Sequence, residues 1–132
     1  MKGKVIRQKW IKRNDVVANP GTLFVFGDNM ERVGLGGQAG AMRGEPNSVG
    51  VPTKWSPGMQ PRDFFSDSDL PVIRPVLDKE FAKLMRHLAA GGDVVIPADG
   101  LGTGLSQLPD RAPAVLEYIE TTIDALVEFS DE

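Results

Sequence analysis

The sequence contains no cysteine and a single histidine. Without thiols there are no disulfides, no thiolate zinc sites and no Cys nucleophile, a composition compatible with a reducing cytoplasm. One histidine leaves no basis for a His-based metal site, and no metal is expected. That residue, His87, falls beside the apolar stripe of a helical segment, where a surface or partly packed role is expected. It is therefore not available to Ser56, Thr103 or Ser106, and triad hydrolysis is disfavoured. Long apolar runs are also missing. The basic start, MKGKVIRQKWIKR, has no apolar core of the roughly 7–15 residues of a signal peptide. No run approaches the roughly 20 residues of a membrane span. The expectation is a soluble, cytoplasmic protein that does not engage membranes.

At 132 residues the chain is of single-domain size, 1–132, able to bury roughly two-thirds of its unfolded surface. Net charge is −3 but uneven. Lys2, Lys4, Arg7, Lys9, Lys12 and Arg13 crowd the start, and Glu117, Glu120, Asp124, Glu128, Asp131 and Glu132 crowd the end. Two charged surfaces facing each other account for this; a nucleic-acid patch on the basic strand is the alternative.

The stretch around which the chain is organised is FVFGDNMERVGLGGQAGAMR, Phe24 to Arg43. An apolar run, Leu23 to Phe26, stops at Gly27-Asp28-Asn29. Gly34, Gly36 and Gly37 then lead into an Ala-rich segment, Gln38 to Met42. This reads as strand, loop and helix. Glycines let backbone N–H groups approach a ligand, and a following helix aims its positive dipole end at the same place, so the loop suits an anion, most often a phosphate. A second such stretch follows Val94-Val95-Ile96-Pro97, where Ala98-Asp99-Gly100-Leu101-Gly102-Thr103-Gly104 has glycine at every second position from Gly100. If both strands are parallel in one sheet, both loops leave its carboxyl edge and form one cleft.

The remaining segments predict strands at Val5 to Ile11, on an edge because one side is polar, at Thr22 to Phe26, central because apolar throughout, and at Ser48 to Pro52. Arg13 to Asn19 is a connection or helical turn. Leu77, Phe81, Leu84, Met85 and Leu88 share one face of a helix over Pro75 to Ala90, stopped by Gly91-Gly92. A last helix covers about Ala112 to Phe129. Met59 to Asp69 has no period and reads as a loop whose Phe64-Phe65 either packs on the core or covers the cleft. Strands alternating with helices give an α/β fold with a mostly parallel or mixed sheet.

Gly34 to Ala39 formally fits G-x-G-x-x-A, but Gly34 comes eight positions after Phe26 and no carboxylate lies between Trp55 and Gln60, so a dinucleotide fingerprint is not supported. No G-x-x-x-x-G-K-[ST] occurs. Asp28 and Asn29 fit either a ligand site or a turn with side chain to backbone hydrogen bonds. Arg43 fits a phosphate or a helix C-terminus. Trp55 fits a stacked base or a core cover. Asp28 and Asp99 are the carboxylates placed to meet across the cleft as general bases.

Together these motifs resemble a macrodomain, the fold family that binds ADP-ribose and in many members removes it from proteins or nucleotides. Asn14-Asp15-Val16-Val17 stands where that family has G-D-I-T, Phe26-Gly27-Asp28-Asn29 where it has N-A-A-N, Gly36-Gly37-Gln38-Ala39 where it has G-G-G-V-A, and Pro97 to Gly104 where it has P-x-x-x-x-G-x-x-G. Asp15, Asn29, the glycines and Pro97 match in type; Phe26 and Asp28 depart. The chain is short for the family, and Gly44-Glu45-Pro46-Asn47 and Val51-Pro52-Thr53-Lys54 belong to none of its motifs, as in a divergent branch.

The resemblance implies a three-layer αβα fold. It gives Asp15 the adenine amino group, Asn29 the distal ribose, Gly36 and Gly37 the ribose-side backbone, and Gly102, Thr103, Gly104 and Leu105 the diphosphate. Gly34, Gln38, Asp99 and Gly100 complete the expected ligand-binding set, with Asn29 and Asp28 as the catalytic candidates holding a water. The implied partner is an ADP-ribose-like nucleotide or an ADP-ribosylated macromolecule, with no cofactor. The competing class is a non-enzymatic interaction or nucleic-acid-binding protein using Lys9, Lys12 and Arg13 of the basic strand.

Overall fold

Four short apolar runs become strands and the segments between them become helices. The computed structural model describes all residues, Met1–Glu132. In chain order the elements are β1 (Val5–Gln8), α1 (Arg13–Ala18), β2 (Leu23–Asn29), α2 (Ala39–Met42), β3 (Ser48–Lys54), α3 (Leu70–Ala89), β4 (Val94–Pro97), α4 (Leu108–Arg111) and α5 (Pro113–Asp131). All strands are parallel, in the order β1-β4-β2-β3. The fold is α/β with a four-stranded parallel sheet. β1 is an edge strand and β2 and β4 are adjacent and central, paired through Leu23 with Val94 and Phe24 with Val95.

The strand period of two sends alternate residues to opposite sides of the sheet. Val25, Val49, Val51, Val94 and Ile96 join Ile73, Leu77, Phe81, Leu84 and Leu88 of α3 and Val115, Ile119, Ile123 and Leu126 of α5 in one core cluster. Phe24, Phe26 and Val95 join Ile11, Val16, Ala39 and Met42, from around α1 and α2, in a second. No helix is long and apolar enough to cross a membrane.

The boundaries differ from the sequence expectation in several places, and β2 itself runs past Phe26 to Asn29. β1 ends at Gln8, so Trp10 lies beyond the strand and is exposed. β3 runs on through Thr53 and Lys54, with a bulge between Asp28 and Asn29 that sets Asn29 opposite Lys54. α3 begins five residues early, with Pro71 in its first turn and Pro75 inside it. Both prolines are solvent-exposed, so the carbonyl that Pro75 cannot pair faces water, and the helix tolerates it. α2 and α4 are single turns, too short for periodicity to reveal α4 or for α2 to carry much dipole.

The loop Met59 to Asp69 holds two 3₁₀ turns, Pro61–Asp63 and Asp67–Asp69, and its aromatics are core, not a cover for the cleft. Phe64 and Phe65 are buried, Trp55 meets Phe65 edge-on at 5.1 Å between ring centroids, and its Nε1 donates to Asp69 Oδ2 at 3.1 Å.

Leu77 is fully buried where α3 meets the sheet. Leu77→Ala is expected to lower unfolding free energy by about 3 kcal/mol through lost transfer energy and an unfilled cavity. Urea denaturation checks this; a loss below about 1 kcal/mol would contradict the packing.

Candidate functional site

The loops that follow β2 and β4 meet at the carboxyl end of the sheet. They enclose a cleft of about 600 Å³ lined by Gly27, Gly36, Gly37, Gln38, Pro97 and Asp99 to Ser106. This volume is within the range of small-molecule sites. The second loop packs close to Gly27, where a Cβ would make ordinary contacts at 3.4 Å from Thr53 Oγ1 and 3.8 Å from the Gly102 amide nitrogen, so the approach does not require glycine here. Gly102 has φ +83°, and a Cβ would fall 2.2 Å from Leu108 Cδ1, so only glycine takes this turn. Gly104 is different: a Cβ there meets nothing within 4 Å.

The amides of Gly36, Gly37, Gln38, Gly102, Thr103 and Gly104 donate to no carbonyl or side chain of the protein. Backbone N–H groups are ordinarily paired, and successive free ones in turns with mixed φ signs form anion-binding concavities. Here Gly37 has φ +57° and Gly100 φ +88°. Gln38 adds a buried carbonyl oxygen, Oε1, with no hydrogen-bond partner. Asp99 is the one charged residue of the lining, and no cation contributes to it. Thr103 Oγ1 donates to the Asp99 carbonyl oxygen at 2.9 Å. Thus Gly36, Gly37, Gln38, Asp99, Gly100, Gly102, Thr103, Gly104 and Leu105 come together as the sequence predicts.

Gly34 lies instead on a second hollow of about 120 Å³, and Asp15 lines neither space. Asp15 Oδ2 accepts from the Lys12 amide at 2.8 Å and from Gln8 Nε2 at 3.1 Å, closing the first turn of α1. No group of three or more His, Asp or Glu side chains is arranged to hold a metal ion.

Asp28 and Asn29 are the last two residues of β2. Asp28 Oδ1 accepts from Arg43 Nη2 at 2.5 Å and from the Asn29 amide at 2.8 Å, and its Oδ2 from Arg32 Nη1 at 3.1 Å. Arg43 Nε reaches the Gly34 carbonyl at 2.7 Å. Arg32 stands at φ +61° and continues to Glu80 on α3, which also accepts from Lys83. Asn29 Nδ2 donates to the Val33 carbonyl at 2.7 Å. These side chains fasten the glycine-rich loop to β2 and α3. Arg43 serves the same fastening. Arg13 of the basic strand's continuation is likewise committed, to Glu45, Gly40 and Arg43. At the termini Lys2 pairs with Glu132 at 3.2 Å.

Sequence reasoning gave Lys54 no role and weighed Ser106 only as a triad nucleophile. Both line the second hollow together with Asp28, Asn29 and Arg43. Lys54 is 6% exposed, and its Nζ donates to the Gly58 carbonyl at 2.6 Å and lies 4.6 Å from the Phe64 ring centre. Burial pushes its pKa below 10.5, with Asp63 opposing and Arg111 reinforcing the shift. The loop over it is closed by Asp63, whose carboxyl is held below its ordinary 3.8 by hydrogen bonds from the Ser56 hydroxyl and the Gln60 amide. The readable signal was position, because Lys54 ends a parallel strand at the ligand edge of the sheet.

Among known proteins, the family described as "Family of unknown function (DUF7831)" matches residues 6–122. No curated protein and no solved structure matches the chain.

Asp28→Ala is expected to cost about 2–3 kcal/mol, less than the roughly 3–5 of a fully buried pair because both guanidiniums keep access to water. It should also open the segment after β2 to limited proteolysis; unchanged stability and unchanged cleavage would refute the fastening role. Asp63 has a lowered folded pKa, so its contribution is present above about pH 4 and fades as pH falls through the folded value. The stability gap between the wild type and Asp63→Asn should therefore be largest near pH 7 and close in acid. A gap that stays constant from pH 7 to pH 2 would count against it.

Proposed function

The chain belongs to this family of unknown function, DUF7831, and we propose that its cleft binds ADP-ribose or a closely related nucleoside diphosphate sugar, in a divergent macrodomain-like, three-layer αβα fold. One observation carries this reading. Two runs of amides without protein partners, on Gly36 to Gln38 and Gly102 to Gly104, border the same hollow. A diphosphate offers several acceptor oxygens, and backbone amides in low dielectric are good donors to such an anion.

The remaining polar groups suit the rest of such a ligand. Gln38 Oε1 lacks a donor, and ribose hydroxyls supply donors. Asp99, exposed at the rim, accepts from hydroxyls or an exocyclic amine. The absence of cationic side chains from the lining favours a ligand held by shape and hydrogen bonds over bare inorganic anions. Two core clusters on opposite sides of a parallel sheet support the three-layer arrangement.

Binding, and not hydrolysis at the distal ribose, is the activity proposed. Asp28 and Asn29, the residues the resemblance would make catalytic, are engaged with Arg43, Arg32 and Val33. The protein then reads ADP-ribose, free or attached to a macromolecule, through the cleft.

Gly104→Glu is the test. Space is open at that Cβ, so the fold accepts the side chain, while a carboxylate in the cleft repels a diphosphate. Calorimetric titration with ADP-ribose should give a measurable heat for the wild type and at least about a tenfold weaker one for the variant, with Tm unchanged within about 2 °C. A flat wild-type trace, or binding that survives the substitution, would sink the proposal.

A further inference from the structure

Lysine is almost never this buried unless it is paired, and Lys54 takes part in none of the ion pairs of the chain. Its bond to Gly58 is short, but the other contacts of Nζ are the Pro57 carbonyl at 3.4 Å and Met59 Sδ at 3.6 Å. Asp63 and Arg111 act on it with opposite signs. The attraction of Asp63 is the larger of the two, but Asp63 forms no ion pair with Lys54. Asp28 and Glu80 are shared among Arg32, Arg43 and Lys83, so two carboxylates already answer three cations before Lys54 is added.

Lys54 and Arg43 both line the second hollow, and its volume of about 120 Å³ is several times the roughly 30 Å³ a water occupies in the liquid. Gly27, Gly36, Leu105 and Ser106 line this hollow and the main cleft alike, so the two adjoin. An ammonium that has lost water and forms no close ion pair, with Asp63 attracting it only from a distance, is favourable for an anion to meet, because the desolvation cost is already met in the fold. Hydrogen bonds to an ionised acceptor are also roughly twice as strong as neutral ones.

We propose that this second hollow is an anion subsite built around Lys54, taking a phosphate monoester or carboxylate at the far end of a ligand whose diphosphate lies on the cleft amides. This rests on the nucleotide reading of the main cleft and narrows it. The favoured ligand is a nucleoside diphosphate sugar that carries a third acidic group.

Two matched pairs of ligands test it by calorimetry: ADP-ribose against ADP-ribose phosphorylated on its second ribose, and UDP-glucose against UDP-glucuronate. The wild type should bind the acidic member of at least one pair about tenfold tighter, and which pair responds identifies phosphate or carboxylate as the group. Lys54→Met, which keeps the aliphatic stem, should remove that preference while leaving the neutral sugar within about twofold, and Lys54→Arg should retain part of it. Lys54→Gln, whose amide still reaches toward Gly58, replaces the Met variant if that one does not fold. Neutral sugars that bind with no gain from the acidic group, or a gain that survives loss of the lysine charge, would overturn the subsite while the nucleotide reading stands. If no nucleotide sugar binds, that reading fails, and inorganic phosphate decides the subsite alone. Amide resonances of Gly36, Lys54 and Ser106 should then shift on phosphate titration in the wild type and stay fixed in Lys54→Met; resonances unmoved in both would refute it.

Discussion

The buried carboxylate of Asp28, held between Arg43 and Arg32, is the interaction on which the ligand edge of this protein depends. It sits at the end of β2, next to the last residue of the strand, just before the chain leaves the sheet. Arg43 comes back from beyond α2 to reach it, and on the way its Nε holds the Gly34 carbonyl. Arg32 carries the connection on to Glu80 of α3. The glycine-rich segment between them has few apolar side chains to bury, with Val33 and Leu35 both exposed. Packing therefore does not fix it. Charge-assisted hydrogen bonds do, and they leave the loop amides free to face outward.

The second loop is fixed by a different device. Leu108 is fully buried and its amide donates to the Gly102 carbonyl at 3.0 Å, so the loop is drawn down by an apolar anchor just beyond it. The close approach of Leu108 to Gly102 requires that glycine have no side chain. Thr53 then joins the two halves, since its hydroxyl donates to the Asp28 carbonyl at 3.2 Å and meets Ser106 Oγ at 2.5 Å. Three strand ends, those of β2, β3 and β4, thereby contribute to one edge.

Much of this was legible in the sequence, for physical reasons that also mark where legibility stops. Short apolar runs ending in Gly-Asp-Asn or in alternating glycines identify central parallel strands and their ligand-side loops, and the residues lining the main cleft follow from that. The start of α3 was hidden because Pro75 looks like a first-turn proline, whereas it lies one turn further in, where the helix forgoes a hydrogen bond. The fate of Asp28 was hidden because its partner lies fifteen positions away, and linear spacing says nothing about which guanidinium a carboxylate meets. Lys54 was passed over for a related reason. A lysine is solvated by default, and only the three-dimensional closure of residues 55–63 over it takes its water away.

A cleft lined by unpartnered amides instead of cations differs in kind from a basic patch. The net charge of the chain is −3, and the lining itself contains Asp99. Long-range attraction therefore contributes little, and a diffuse polyanion such as duplex DNA finds no phosphate-tracking surface here. What the amides offer is direction. Their N–H groups are fixed by backbone geometry, so oxygens are accepted only at particular separations, and the cost of ordering donors has been met during folding. The spacing of the two loops is set by the pairing of β2 with β4. On the proposed reading, selectivity for a diphosphate would follow from that strand register, with the side chains around it serving mainly to keep the two turns where the register puts them.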